Sequence, residues 1–445
     1  MSTVIRLPSP IKSNRNINNR NRNTNNRNDE KITRDARNIQ FTFNQSLIND
    51  IYSTIALYNS DQNNKVELEA RLGYFTNNRF NSSVNTRSFF GLLNKLRNKG
   101  YTLVESSDTV KSYREEVTDP VNPNKRTWVT TRQIIDDTTD NVIWEQKVKP
   151  WNYDIKSLGI RLAIATERPI NPLESFHSQS TRSRHRYSFH VSSNRIRIDL
   201  TEVRMMDGNK NTSTYEVEVE ALSLSQNFIP NYVKVINMVY RELHGTKLIY
   251  TFQEREQFIN YFNTLLASNI PPRRTDSNYG CNDPSKILCP AEERVDDNNV
   301  LENRVLVHAR NLKNKDIVWG GLVGNSKTAY RVTHKADGLR KLMVFAPNGI
   351  WIVMPPNEIM WIASGIGNID LVGTVIEGEL LSENDIKNFN LNTALWMLFF
   401  DCLAWKGSTS IQNNTHTQRM NAAQIVSDAI NAIEIPEGHN RLIVT

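Results

Sequence analysis

The chain has 445 residues and a formal net charge of +7, and this length favours two domains plus a tail over a single ordinary domain. Its cysteines, Cys281, Cys289 and Cys402, are odd in number and lack the spacing of zinc ligands, which argues against a disulfide framework or a zinc module and fits a reducing compartment. No apolar stretch is long enough to span a membrane, and no apolar segment follows the start, so we expect neither a membrane protein nor a secreted one.

The basic charge is concentrated near the amino terminus. Residues 1–40 hold nine Lys or Arg against three Asp or Glu, a net charge of +6, which leaves +1 for the other 405 residues. Residues 1–38 are rich in Asn and Arg, and so few apolar side chains cannot offset the entropy of ordering the chain. We therefore predict a disordered tail whose arginines either bind RNA phosphates loosely or are simply solvated.

A helix, a strand and a second helix are predicted after the tail. Apolar side chains recur at helical spacing over 41–58 and 86–99, as in amphipathic helices. Between them, residues 65–72 alternate charged and apolar side chains, as a half-buried strand does. Seven further segments read as strands with no helix between them, which predicts a closed antiparallel barrel or a sandwich. These segments are 101–116, 125–136, 141–149, 160–166, 182–191, 194–203 and 213–222.

Two of the predicted strands place carboxylates on one face. Glu alternates with Val near the end of the run, so Glu216, Glu218 and Glu220 share a face, because successive side chains of a strand point to opposite sides. Upstream, Glu67 and Glu69 repeat the pattern. One such strand alone is most simply a solvated outer face. Two matched strands together supply the hard oxygen ligands that Mg²⁺ or Mn²⁺ prefers.

Several strands between the two acidic ones carry basic residues at alternate positions. On an open sheet such rows face solvent, which is the usual outcome for charged residues. Inside a barrel they would face the glutamates, where guanidinium and ammonium groups bind phosphate oxygens while carboxylates hold the cation. Such a lumen suits a metal-bound polyphosphate. The candidate phosphate-binding residues are Arg71, Arg132, Lys147, Arg182, Arg184, Arg186 and Arg197.

The strands Glu67-x-Glu69-x-Arg71 and Glu216-x-Glu218-x-Glu220, in this order and with basic strands between them, resemble the metal-binding strands of the triphosphate tunnel metalloenzymes. The RNA triphosphatase branch of that family removes the γ-phosphate from the 5′ end of nascent RNA, and residues 197–201 are similar to that branch as well. The resemblance covers roughly residues 40–245. It implies that the glutamates hold Mg²⁺ or Mn²⁺ and that Glu218 or Glu220 aligns or deprotonates the attacking water.

The second half of the chain carries a different set of motifs. Residues 228–243 and 251–266 are predicted helices, and 269–300, rich in Pro, Asp and Asn, is a predicted linker. We therefore place one domain at 39–268 and another at 301–445. In the latter, Lys335 precedes a tight turn at Asp337-Gly338, Glu377 and Glu379 alternate on a strand, and residues 398–403 form a buried strand that contains Asp401.

Together these segments resemble three motifs of the covalent nucleotidyltransferases, the superfamily of mRNA guanylyltransferases and of ATP- or NAD-dependent ligases. By that resemblance Lys335 attacks the α-phosphate of GTP and carries GMP as a phosphoramidate. The implied nucleotide-binding residues are Lys335, Asp337, Arg340, which contacts nucleotide or pyrophosphate, Glu379, which orients ribose or metal, and Asp401, on the metal side. The later motifs and a closing OB-fold are absent from the chain. We therefore expect an incomplete guanylyltransferase, which is either inactive or part of a longer capping enzyme.

A tunnel triphosphatase followed by a lysine nucleotidyltransferase resembles the capping enzymes of large cytoplasmic DNA viruses. The expected fold class is α+β: an antiparallel barrel with flanking helices, then a partial nucleotidyltransferase domain. The expected function is mRNA 5′ capping on 5′-triphosphate RNA, with GTP as second substrate and a methyltransferase subunit or domain as partner. The expected location is the cytoplasm, a viral factory or the virion.

Three alternatives remain open. An ATP-dependent nucleic-acid ligase would use the same Lys335 chemistry but has no need of an acidic tunnel. A non-catalytic module that binds RNA ends would retain the fold without the activity. A tunnel enzyme acting on inorganic polyphosphate or small triphosphates would need only the first domain.

Overall fold

The structure of the chain is a computed structural model. It describes residues 31–36, 38–59, 65–118, 126–193, 195–206, 213–225, 227–246, 248–266, 313–318, 337–354, 358–364, 370–381, 394–433 and 441–444. Lys335, the predicted linker at 269–300 and most of the predicted tail lie outside these ranges.

The described part of the chain begins with a small hairpin and a helix. Strands β1 (Ile32–Arg34) and β2 (Phe41–Phe43) pair antiparallel, and α1 (Gln45–Tyr58) follows. The prediction of a helix from residue 41 is therefore wrong at its start. The side chain of Asn44 accepts a hydrogen bond from Leu47 N at 3.0 Å, and this N-cap begins the helix there.

The barrel segment follows in the order predicted, with a short extra hairpin near its start. Its elements are β3 (Lys65–Leu72), β4 (Tyr74–Thr76), β5 (Arg79–Asn81), α2 (Thr86–Asn98), β6 (Thr102–Thr118), β7 (Arg126–Asp136), β8 (Val142–Ile155), β9 (Ile160–Pro169), β10 (Ser180–Val191), β11 (Ile196–Met205) and β12 (Ser213–Ala221). Helices α3 (Ile229–His244) and α4 (Phe252–Leu266) come next.

Eight of these strands close into an antiparallel barrel in the order β3-β9-β8-β7-β6-β10-β11-β12, which confirms the predicted architecture and decides for the barrel over the sandwich. Because β12 pairs with β3, the two glutamate-rich strands are hydrogen-bonded neighbours. In their register Glu220 lies opposite Glu69, and Glu218 lies opposite Arg71. Strands far apart in sequence thus bring their acidic rows side by side.

The apolar faces of the same two strands determine which way the glutamates point. Leu68 and Ala70 on β3, with Val217 and Val219 on β12, are buried in one core with residues of α1, α2 and α3. The hydroxyl of Tyr232 on α3 donates to the carbonyl of Val219 at 2.9 Å. Since successive side chains alternate across a strand, burying this face against the helices directs the glutamates into the lumen.

A second sheet forms beyond the barrel. A short helix, α5 (Asn314–Ile317), precedes it, and α6 (His416–Asn431) packs against it. Its strands, in the order β15-β14-β13-β16-β17-β18, confirm the strands predicted around residues 374–381 and 398–403. They are β13 (Leu339–Ala346), β14 (Gly349–Met354), β15 (Glu358–Ala363), β16 (Val375–Leu381), β17 (Ala394–Ala404) and β18 (Arg441–Val444).

Helix α4 packs on this second sheet. The rings of Phe258 and Trp351 stack with centroids 4.3 Å apart, and Trp351 stacks on Trp361 at 5.3 Å. The hydroxyl of Thr246, just after α3, donates to the carbonyl of Trp361 at 2.9 Å. The segment after α3 therefore shares a core with the sheet. The predicted end of the first domain at residue 268 stays a prediction. No helix among the described residues has both the length and the hydropathy to cross a bilayer.

Candidate active site in the barrel

The lumen of the barrel is a cavity of about 790 Å³. Every barrel residue that the sequence nominates lines it, since alternate side chains of each strand point inward. These residues are Glu67, Glu69, Arg71, Arg132, Lys147, Arg182, Arg184, Arg186, Arg197, Glu216, Glu218 and Glu220. The structure thus brings the proposed metal-binding and phosphate-binding side chains into one enclosed space.

The glutamates of β3 are held by cations from β8, which follows β9 in the barrel, and from β3 itself. Lys147 Nζ lies 3.1 Å from Glu67 and 3.7 Å from Glu69, and Lys149 also binds Glu69. Burial alone would raise the pKa of Glu69, but Arg71, Lys147 and Lys149 outweigh it and hold that pKa well below its usual value. Glu69 is therefore a permanent anion near neutral pH.

Glu220 differs from Glu69 in that its pKa is raised rather than lowered. It is buried, and one of its carboxylate oxygens, Oε1, has no hydrogen-bond partner, while the other accepts from Arg197. Burial and the neighbouring charge of Glu67 raise the pKa of Glu220 to about 7, although Arg197 and Lys65 oppose the shift. A buried carboxylate with an unused oxygen beside another carboxylate is a position where a cation would be stabilising.

The donor set fits Mg²⁺ or Mn²⁺ in its chemistry, because both cations prefer carboxylate oxygens and Glu67, Glu69 and Glu220 are buried on neighbouring strands. As the side chains stand, each is paired with a Lys or Arg. Within the described ranges, no three His, Cys, Asp or Glu side chains are already grouped as a metal site.

The arginines of β10 form a wall of the lumen. Arg184 makes a two-pronged ion pair with Asp108 of β6, at 2.6 and 2.8 Å. By contrast, the Nε–H groups of Arg182 and Arg186 are buried without hydrogen-bond partners. Burial lowers the pKa of Arg182, as do the nearby charges of Arg184 and Arg71, against the opposing effect of Glu216. These guanidinium groups have donors to offer to an anion in the lumen.

Several lining residues were not among the predicted site residues. Arg132 binds Glu145 and, at 2.7 Å, Glu167, and Glu167 also lies 2.8 Å from Lys147. Arg132 and Lys147, both predicted to bind phosphate, are therefore tied to carboxylates that the sequence did not single out. The alternation of charge at 145, 147 and 149 is the signal that points to these inward positions. The additional charged lining residues include Lys65, Glu145, Lys149, Arg161, Glu167 and Asp199.

The nominated residues of the second sheet lie near one another on β13, β16 and β17. Arg340 Nε donates to Glu377, and the backbone N–H of Gly338 donates to Glu379 at 3.1 Å. A side chain at Gly338 would meet the carbonyl oxygen of Leu380 at 2.6 Å, so this close approach requires glycine. Burial raises the pKa of Glu377, although Arg340 opposes it. Exposed Asp337 begins the described stretch, and Lys335, two residues earlier in the sequence, lies outside it.

Asp401 on β17 is held by an arginine of α6. Arg419 of α6, which the sequence did not single out, binds both of its carboxylate oxygens, at 2.6 and 3.1 Å. In this geometry Asp401 joins the helix to the sheet. Its assignment to the metal side of a nucleotide site stays a prediction.

Residues 122–238 match the family model described as "mRNA capping enzyme, beta chain". Among solved structures, the chain is similar to the Pct1 RNA triphosphatase of S. pombe in complex with the Spt5 CTD, at 16% identity and a TM-score of 0.35, over 44% of this chain and 92% of that chain. A second structure of S. pombe Pct1 RNA triphosphatase is 17% identical with a TM-score of 0.32, over 49% and 90%. No curated protein matches the chain. The family match spans β7 to β12 and the larger part of α3.

Proposed function

We propose that the barrel is an RNA 5′-triphosphatase of mRNA capping, which hydrolyses the bond between the β- and γ-phosphates of 5′-triphosphate RNA with the help of Mg²⁺ or Mn²⁺. The observation that carries this proposal is the closed lumen, in which glutamates from two neighbouring strands face arginines from β10 and β11. The capping-enzyme family match over residues 122–238 supports RNA as the carrier of the triphosphate.

The chemistry of the site follows from the charges that line it. Glu67, Glu69 and Glu220, with Glu216 and Glu218, would hold the divalent cation, which supplies positive charge to the phosphate oxygens when bound. Arg182 and Arg186, with their unpartnered donors, would bind the terminal phosphate. Fixed guanidinium groups in an enclosed lumen stabilise the negative charge of a loose phosphoryl-transfer transition state.

One carboxylate must align the attacking water. Glu220 is suited to this role because it is buried in the lumen and its Oε1 has no hydrogen-bond partner, so this oxygen can accept a hydrogen bond from water. Glu218, the other candidate, is bound by Arg71 at 2.8 Å. Both glutamates are therefore held by arginines, since Arg197 binds the other oxygen of Glu220, and either carboxylate can orient water through hydrogen bonds.

The test is release of labelled γ-phosphate from 5′-triphosphate RNA in the presence of Mg²⁺ or Mn²⁺. We expect Glu67→Ala and Glu218→Ala to lower the rate by about 10²–10³-fold, the usual loss for one preorganised electrostatic group. Glu202→Ala is the matched control, since Glu202 lies on β11 and pairs with Arg204 but does not line the cavity. Full activity in Glu67→Ala and Glu218→Ala would remove the role proposed for the acidic strands.

We propose a second activity, transfer of GMP through Lys335, for the second sheet. The supporting observation is that Arg340, Glu377 and Glu379 lie together on strands that adjoin the Asp337-Gly338 turn. On the same hypothesis the chain acts in the cytoplasm, a viral factory or the virion, beside a methyltransferase that modifies the new cap.

Incubation with α-labelled GTP or ATP tests this second proposal. Label from GTP that is covalently retained by the wild-type chain and lost in Lys335→Ala supports guanylyl transfer. Label from ATP instead would indicate the ligase alternative. Retention of neither nucleotide would contradict this activity for the chain and favour a second sheet that is not catalytic.

A further inference from the structure

The two rims of the barrel carry different side chains. One rim is formed by the carboxyl ends of β3, β6, β8 and β11 together with the amino ends of their antiparallel partners; we call it the aromatic rim. Toward it the cavity is lined by two aromatic side chains and by arginines. These side chains are Phe80, Arg114, Arg126, Trp128, Arg161 and Arg182.

The opposite end of the lumen is more acidic. Glu67 lies near the amino end of β3 and Glu220 near the carboxyl end of β12, while Glu145 is opposite Pro169, the last residue of β9, and Glu167 is opposite Lys65, the first residue of β3. The carboxylates of that end are paired with Lys65, Arg132, Lys147 and Arg197, whereas toward the aromatic rim the lining arginines outnumber the carboxylates Glu216 and Glu218. A polyanion that extends out of the barrel meets lower electrostatic repulsion at the aromatic rim.

Trp128 is the most exposed ring on this rim. Its side chain lines the cavity, yet the residue is 46% exposed. The guanidinium of Arg114, on the neighbouring strand, lies 4.5 Å from the ring centroid. A guanidinium held against one face of an indole fixes the ring, and the exposed part of the ring remains open to a planar ligand.

A second pair of the same kind lies on the aromatic rim. Phe80, on the β4–β5 hairpin, has the guanidinium of Arg161 at 4.9 Å from its ring centroid, and its ring contacts Phe75 at 5.1 Å. Aromatic rings beside arginines are the usual platform for single-stranded nucleic acid, since each base offers a π-face and each phosphate a negative charge. A short apolar peptide would not need the arginines.

We propose that the aromatic rim binds the first nucleotides of the RNA, with a base stacked on Trp128 and the backbone phosphates on Arg114 and Arg126. This inference deepens the proposed function and rests on it, because the 5′-triphosphate then lies inside the lumen and the body of the RNA leaves through this rim. The rim gives the enzyme its preference for RNA ends over triphosphates that lack a base. Stacking tolerates any base, so no sequence preference is expected.

The experiment compares two substrates, 5′-triphosphate RNA and inorganic tripolyphosphate. In Trp128→Ala the ratio of kcat/KM for RNA to kcat/KM for tripolyphosphate falls about tenfold, within the range measured for loss of one base–aromatic stack. Trp128→Phe keeps most of the ratio because a smaller ring still stacks. Tyr113→Ala is the control, since Tyr113 is an exposed ring next to Arg114 on the same strand that does not line the cavity. It leaves the ratio at the wild-type value.

Equilibrium binding separates a failure of the rim from a failure of the proposed function. A fluorescent single-stranded oligoribonucleotide binds the wild-type chain about tenfold more tightly than Trp128→Ala, whether or not phosphate is released. Equal affinity of the two chains, or an unchanged substrate ratio in Trp128→Ala, overturns the rim proposal and leaves the triphosphatase proposal standing. Absence of phosphate release from RNA by a wild-type chain that binds the oligonucleotide through Trp128 overturns the triphosphatase proposal alone.

Discussion

The barrel and the second sheet differ in how many cationic partners surround a buried carboxylate. In the barrel, eight strands surround the charged side chains, so a carboxylate such as Glu69 meets cations from its own strand, β3, and from β8 at once. On the second sheet, Glu377 and Asp401 each have an arginine that binds them, Arg340 and Arg419 respectively. A closed barrel therefore gives a buried carboxylate several cationic partners, whereas on the open sheet each of these carboxylates is bound by one arginine. The following changes test that difference.

The largest effect is expected from Glu69→Gln in the barrel. Loss of the charge removes the carboxylate that Lys149 binds and one of the three that Lys147 contacts, and it removes a proposed metal ligand. We expect the rate of γ-phosphate release to fall by about 10²–10³-fold. Asp370→Asn, an exposed partner of Lys406 next to the second sheet, should leave the rate within twofold of wild type. An equal loss of rate in both variants would contradict a specific role of the cavity in γ-phosphate release.

The aromatic core between α4 and the second sheet should contribute most to the stability of that region. Trp351 is fully buried between Phe258 and Trp361, so we expect Trp351→Ala to lower the free energy of unfolding by about 3–5 kcal/mol. Urea unfolding measures it. Trp405→Ala, which removes only a partly buried ring beside Lys406, serves as the control and should cost less. A cost below about 1 kcal/mol for Trp351→Ala would mean that α4 does not pack on the sheet.

The two regions should respond equally to the loss of a helix cap. Asn44 caps α1 beside the barrel, and Thr415 caps α6 beside the second sheet, where the backbone N–H of Thr415 also donates to the side-chain oxygen of Gln418. We expect Asn44→Ala and Thr415→Ala each to cost about 1 kcal/mol of unfolding free energy. Asn49→Ala, inside α1, should cost nothing because alanine favours helix. A loss in Asn49→Ala as large as in Asn44→Ala would argue against the cap.

The smallest expected effect concerns the chemical reactivity of the thiol of Cys402 on β17. Burial, with the nearby charge of Asp401, raises the pKa of Cys402 to about 12, so the reactive thiolate is scarce at pH 8. We expect iodoacetamide to leave Cys402 unmodified in the folded chain and to alkylate it in urea, as measured by mass spectrometry of its peptide. Equal rates in both conditions would show that the strand opens readily.

Much of the barrel could be predicted from the sequence, because alternation along each strand fixes which side chains share a face. Val217 and Val219 had to be buried, so Glu216, Glu218 and Glu220 had to share the other face. The pairing of β12 with β3 could not be predicted, since a single sequence carries no signal for which distant strands are neighbours. The helix start was wrong because the apolar spacing of Phe41 and Phe43 continues across the cap at Asn44.

The parts of the site that the sequence missed depend on contacts between elements. Glu167 belongs to the site because it forms ion pairs with Arg132 and Lys147 on two other strands. Arg419 belongs to the second sheet's charged group because it forms an ion pair with Asp401, where α6 packs on β17. No local pattern marks such partners. The aromatic rim was missed for the same reason, because Trp128 and Arg114 meet only when β6 and β7 pair.

The most direct test of the barrel site is Mn²⁺ binding followed by electron paramagnetic resonance, which needs no turnover. We predict that the wild-type chain binds Mn²⁺ and that Glu67→Gln and Glu220→Gln each weaken this binding at least tenfold, while Glu202→Gln binds as wild type does. Undiminished Mn²⁺ binding in both Glu67→Gln and Glu220→Gln would contradict a cation shared by the acidic rows of β3 and β12.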